Sequence, residues 1–309
     1  MRLKAPLQVI TCIMRLCFER GRELLKRERR TERATLKNTK NTSQRSIWRG
    51  EYAMIIREYG TEHKDTILLL HGGGLSWWNY REAAELLQGE YHVILPILDG
   101  HSGSDRPFTT IEENASEIIS FIDEYLNGSV LLIGGLSLGG QILLEMLSQR
   151  DNICSYALVE SAAVIPSRLT NALIAPAFGS SYGLIRKRGF ARLQFQSLHI
   201  KPELFEDYYQ DTCRIRKQDM ISFLKANTSY ALKDALRKSS AEIHVYVGEK
   251  ETGEILRSAE AICQMLPSCK LHRLHGLKHG EFSINHAAQY ADAVKKIIQG
   301  GRLSEERGD

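Results

Sequence analysis

A chain of 309 residues that is 43% hydrophobic and 25% charged is long enough to bury a sizeable core, and its composition is neither disordered nor fibrous. The net charge of +4 gathers at one end: the first 40 residues hold 12 Lys/Arg against 4 Asp/Glu, so the remainder is slightly acidic and lacks the basic folded face that nucleic-acid binding needs. Six cysteines, with no CxxC pair and no metal-like Cys/His spacing, read as free thiols in a reducing compartment, which points to the cytoplasm and to no bound metal.

In chain order, residues 1–44 are expected to form a basic arm. Ile10, Met14, Cys17 and Leu24 fall at helical spacing, while the apolar stretch Ala5–Phe18 is too short to span a bilayer and is followed by no cleavage site. An amphipathic helix or solvated arm is the plain expectation, and weak contact with an anionic membrane surface is the sharper one. The pattern then becomes regular. Ser46–Gly50 and Tyr52–Tyr59 read as strands around a Gly-Glu turn, and Thr66–Leu70 as a buried strand ending in His71-Gly72-Gly73-Gly74. Helix is expected around Trp78–Leu87, strand over Tyr91–Leu98, and helix over Ile111–Leu126, whose isoleucines recur at helical spacing. Val130–Leu136 reads as strand, Gln141–Leu147 as helix and Tyr156–Val159 as strand.

The rhythm breaks over residues 165–239, where aromatics and charges suggest a set of helices. It resumes with Ile243–Val247 as strand, Ile255–Leu266 as helix, Leu271–Leu274 as strand and Ala287–Ile298 as helix. Strands alternating with helices predict an α/β fold with a mostly parallel sheet, and continuous apolar strands predict a sheet covered on both faces. The expected organisation is an α/β core over residues 45–164 and 240–300, a helical lid over 165–239, and a polar tail over 301–309.

The strongest chemical signal is Gly135-Leu136-Ser137-Leu138-Gly139, a G-x-S-x-G sequence between an apolar strand and a helix. A strand turning abruptly into a helix strains the serine backbone and projects its hydroxyl above the sheet, beside the positive end of the helix. In the His71–Gly74 turn, bare glycine backbone can approach a carbonyl closely. An N–H from Gly73 (or Gly74) together with that of Leu138 forms a candidate oxyanion hole, with His71 expected to be structural. The serine requires a base and an acid later in the chain. His279, in Gly276-Leu277-Lys278-His279-Gly280, follows the last strand and is preferred over His244, His272, His275 and His286. Glu251, past the turn after Ile243–Val247, is the favoured acid; Glu249 is the alternative by one register, and Glu160 the rival from an earlier strand. Trp77 and Trp78 are equally candidates for an acyl pocket, alongside Gly74, and for core packing. Met220, Phe223 and Tyr230 are read as lid packing.

Taken together, the HGGG turn, Asp99–Asp105 (DGHSGSD), the GLSLGG elbow, VGEKE and GLKHG resemble the serine-dependent α/β-hydrolase superfamily over roughly Ser46 to Ile298. The resemblance implies the α/β-hydrolase fold, a triad of Ser137, Glu251 and His279, backbone donors at Gly73 and Leu138, and no cofactor. Two positions depart from the usual pattern: Ile97 and Ser102 stand where the D-x-x-G-H-G-x-S loop has Asp and Gly. The acid is Glu where Asp is commoner. Relatives with an Asp nucleophile are disfavoured by Ser137. Hydrolysis of a small ester, thioester or lactone is the expected activity; C–C bond hydrolysis or acyl transfer on the same residues is the alternative. A binding module that merely keeps the fold is disfavoured by the full Ser/Glu/His set.

Overall fold

Strands without a polar face must be covered on both sides, and the chain achieves this with one sheet. The computed structural model describes residues 43–49, 52–266 and 268–307; the expectations for residues 1–42 lie outside the described residues. β1 (Ser43–Arg49) and β2 (Tyr52–Tyr59) pair antiparallel at one edge. β3 (Thr66–Leu70) leads through a 3-10 turn, Trp77–Tyr80, into α1 (Arg81–Leu87). β4 (His92–Pro96), α2 (Ile111–Tyr125), β5 (Val130–Leu136), α3 (Leu138–Gln149) and β6 (Cys154–Glu160) continue the alternation. An inserted helical segment follows, made of α4 (Arg168–Ile185), α5 (Arg188–Ser197), α6 (Phe205–Arg214) and α7 (Lys217–Ser229). β7 (Glu242–Gly248), α8 (Gly253–Met265), β8 (Lys270–Leu274), α9 (Glu281–Asn285) and α10 (Ala287–Arg307) complete the chain.

The strand order is β1-β2-β4-β3-β5-β6-β7-β8, with β2 antiparallel to β4 and every later pairing parallel. Successive residues of β3 point to opposite faces, and both faces are buried. Leu68 and Leu70 join Ile94, Ile133 and Ala157 beneath α2 and α3, while Ile67 and Leu69 join Val93, Leu132 and Leu158 on the side of α1 and α10. This is the α/β fold that the strand–helix alternation predicts.

Five details depart from the sequence reading. β1 begins at Ser43, inside the expected arm, and α10 runs to Arg307, so residues 301–307 extend a helix where a polar tail was expected. The single helix expected over Trp78–Leu87 is a 3-10 turn followed by α1. The five-residue α9 carried no periodicity long enough to be read. Finally, the thiols are not all free: Cys263 at the end of α8 and Cys269 just before β8 form a disulfide, because the intervening turn brings their Cα atoms to 5.0 Å, whereas Cys154 and Cys213 are unpaired. The cytoplasmic expectation loses the uniform reduced thiols on which it rested. Among the described residues no helix is long and apolar enough to cross a membrane.

The inserted helices are tied to the core by polar contacts. The Trp78 indole N–H donates to Asp211 at 2.8 Å and Arg81 pairs with Asp207 at 3.1 Å, both on α6. The Phe108 N–H donates to the buried Asp219 on α7 at 3.1 Å. At the base of α7, Asn227 exchanges hydrogen bonds with Gln141 of α3.

Candidate active site

The parallel strands end on a common edge, and each delivers a loop to it. At the end of β5, Ser137 adopts φ 52°, ψ −109°, a left-handed backbone that a side-chain-bearing residue rarely takes. The neighbouring glycines make that turn possible. A Cβ on Gly139 would sit 2.1 Å from the Leu70 carbonyl oxygen, and one on Gly135 would sit 2.4 Å from that of Gly139. The helix therefore begins at Leu138, three residues before the apolar periodicity suggests, and the Leu138 N–H is the first of α3, with no partner inside the helix.

The HGGG turn after β3 spends its amides selectively. Gly72 N–H donates to the Asn79 side chain at 3.2 Å, and Gly74 N–H donates to Nε2 of His101 at 3.0 Å. Gly73 N–H makes no hydrogen bond among the described residues, which leaves it, rather than Gly74, beside the Leu138 amide. The Cβ position on Gly73 lies 3.5 Å from Leu138 Cβ. Both buried histidines around this turn are neutral. His71 accepts from Leu98 N–H at Nε2, and burial pushes its imidazole well down. His101 donates from Nδ1 to the Asp99 carbonyl, accepts at Nε2, and is pushed by burial down to about 4. His71 accordingly has the structural surroundings expected of it, and His101 is the residue that decides which glycine amide is free.

Glu251 and His279 meet. The Nδ1–H of His279 donates to Glu251 Oε2 at 2.8 Å, with the carboxylate fully buried and the imidazole 42% exposed. The other carboxylate oxygen accepts from the Ser161 hydroxyl at 2.5 Å and from Gly248 N–H at 3.2 Å. Thr252, the next residue, caps α8 and fixes where the acid stands. Burial opposes charge on both partners, but their attraction prevails: the Glu251 carboxyl is held below its usual range and the His279 imidazole above its own. Among the described residues the imidazole is not hydrogen-bonded to the Ser137 hydroxyl, and its Nε2 edge carries no hydrogen bond. Glu249 turns the other way, to His275 at 2.7 Å and the Gly276 N–H. Glu160 is buried at the end of β6 and does not pair with the imidazole.

A sequence profile described as the alpha/beta hydrolase family matches residues 67–293. The chain belongs to that family. A segment of 129 residues is 30% identical to Lipase 1 of Psychrobacter immobilis, covering 39% of this chain and 40% of that lipase. The chain thus spans well under half the length of the curated relative it matches. Among solved structures, an esterase from Thermogutta terrifontis superposes with a TM-score of 0.69 at 18% identity, covering 84% of this chain and 98% of its own. A bromoperoxidase from Bacillus anthracis superposes with a TM-score of 0.70 at 14% identity, covering 84% and 99%. At such identities the likeness concerns the fold.

Within this hydrolase-family chain, the two tryptophans part company. Trp77 has the Arg57 and Arg81 guanidinium groups over its ring and packs against Ile55 and Ile97, while Trp78 is buried and held by Asp211. Phe223, read as lid packing, stacks on His101 at 4.6 Å and reaches to 3.5 Å from the Cβ position of Gly73, so the insertion contributes a wall to the site. Sequence reasoning missed Ser161 and Asn79. A serine after a strand and an asparagine in a turn are ordinary residues, and only their partners give them a role.

Proposed function

We propose that the chain is a serine hydrolase that cleaves a small acyl substrate, a carboxylic ester, thioester or lactone, through an acyl-enzyme on Ser137. The observation that carries this reading is the 2.8 Å His279–Glu251 pair on the same strand edge as the strained Ser137 elbow. In the proposed sequence Ser137 Oγ attacks the acyl carbonyl while Nε2 of His279 takes its proton. Glu251 holds the Nδ1 tautomer and stabilises the imidazolium that forms. The amides of Gly73 and Leu138 receive the oxyanion. The imidazolium then protonates the leaving group, and water activated by the same His279 releases the acid. The names of the relatives, an esterase and a lipase among them, support ester-type substrates.

The test is labelling with a fluorophosphonate probe and release of p-nitrophenol from short acyl esters. We expect stoichiometric labelling at Ser137 and hydrolysis, both abolished in Ser137→Ala. An unlabelled wild-type protein would instead favour a binding module, and partitioning of the acyl group to added alcohol or amine would favour acyl transfer.

A further inference from the structure

Behind the His279–Glu251 pair lies a second carboxyl group that the proposed chemistry does not use. Glu160, 1% exposed, closes β6. Its backbone carbonyl accepts the Ser137 N–H at 2.8 Å, fixing the elbow. Its side-chain Oε1 accepts the Ser283 N–H at 3.3 Å, fixing α9 directly after the His279 loop. Ser283 is in turn bonded to Asn79 at 3.4 Å, and Asn79 holds Gly72 of the glycine turn. The residue after Glu160 is Ser161, in a left-handed backbone with φ 56°, whose hydroxyl grips Glu251. One dipeptide therefore touches the segments carrying all three side chains of the proposed triad.

The surroundings of the Glu160 carboxyl are unusual for an ionised group. Its Oε2 is buried without a hydrogen-bond partner, and the hydroxyls of Tyr80 and Tyr290 are buried near it. Among the described residues no cation pairs with it directly. The ionisable groups bearing on it are Glu251 from the β7–α8 turn, His279 from the loop after β8, Tyr80 from the 3-10 turn and Tyr290 from α10, while the neutral Ser283 bonds it from α9.

Resting on the triad proposed above, we infer that Glu160 is a positioning residue of this site, one that holds the elbow and the histidine loop in register and whose own charge state sets the basicity of His279. Burial pushes its carboxyl up to about 7, Ser283 and His279 draw it down, and Glu251 adds to the rise. Each group shifts the other, Glu160 raising the imidazole and the imidazolium lowering the carboxyl, so the two titrations are coupled. When His279 is protonated, the nearby positive charge favours the Glu160 carboxylate. That carboxylate stabilises the imidazolium and keeps the base protonated to higher pH. When His279 is neutral that attraction is absent, and burial together with the charge on Glu251 favours the protonated Glu160 carboxyl.

The experiment compares wild type with Glu160→Gln, which keeps an acceptor for the Ser283 N–H but cannot ionise. The readouts are the pH dependence of the fluorophosphonate labelling rate at Ser137 and of kcat/KM for p-nitrophenyl acetate. We expect labelling in both proteins, with the acid-side inflection of the variant lower by about half a unit or more. A polar anchor with no electrostatic role would lower rates or stability and leave the inflection where it was; an inflection unchanged within about 0.2 unit overturns the inference. If Glu160→Gln does not fold, Ser283→Ala decides. It retains the backbone N–H but removes a hydroxyl that favours the Glu160 charge, and the inflection should move in the same direction; an unmoved one rejects the inference. Wild-type protein that is not labelled at Ser137 at any pH overturns the triad reading itself, and this inference with it.

Discussion

At the level of single residues, the site depends on a few atoms whose environments are set by burial. In the proposed mechanism His279 works as a base only when neutral, and its attraction to Glu251 raises its pKa above the ordinary value of about 6.5. Activity should therefore be lost as pH falls through an inflection above that value and be retained above it. Glu251→Gln removes both the charge and the tautomer control; we expect kcat to fall roughly 10³–10⁴-fold, measured on p-nitrophenyl esters, with the far-UV spectrum unchanged. Gly139 leaves no room for any side chain, since its Cβ would meet the Leu70 carbonyl at 2.1 Å. Gly139→Ala should cost about 3 kcal/mol or more in urea denaturation, and a variant of normal stability would show that the elbow can relax. The G-x-S-x-G spacing made Ser137 and its glycines legible. The same spacing carried no information about His101, which consumes the Gly74 amide from 27 residues away.

Elements follow from periodicity where the chain is regular and from caps where it is not. The continuous apolar runs of β3, β4 and β5 were readable because both of their faces are buried, whereas the start of α3 was not, because strain at Ser137 rather than side-chain pattern sets it. The inserted segment was readable as a set of helices, but not helix by helix. Their seating on the core depends on aspartates that look like surface charges in the sequence. Asp219→Ala would leave the buried Phe108 N–H unpaired, and we expect a loss of about 1–3 kcal/mol in urea midpoint analysis. Arg188→Ala breaks an exposed pair with Glu206 and removes the guanidinium from over the Phe205 and Tyr209 rings, contacts confined to the insertion, and should cost about 1 kcal/mol. Equal effects in the two variants would mean that Asp219 does not anchor the insertion.

Over the whole molecule, Glu251 and His279 stand in the loops that follow the neighbouring strands β7 and β8, and the Cys263–Cys269 disulfide joins the far end of α8, which follows Glu251, to the start of β8, which precedes His279. It closes a short loop in the unfolded chain, so its removal by Cys263→Ser with Cys269→Ser should cost about 2 kcal/mol, seen as a lower Tm that reductant reproduces in wild type. A Tm indifferent to reductant would show that the bond adds nothing. Local sequence by itself determined the alternation of strands and helices and the elbow at Ser137, because hydrophobic period and glycine sterics act over a few residues. The tertiary structure alone decided that Glu251, not Glu249 or Glu160, faces His279, that Gly73 keeps its amide free, and that two cysteines pair. Those outcomes rest on which distant loops the parallel strands bring to a common edge, and hydrogen bonds over about 3 Å discriminate between neighbours that a linear pattern leaves equivalent.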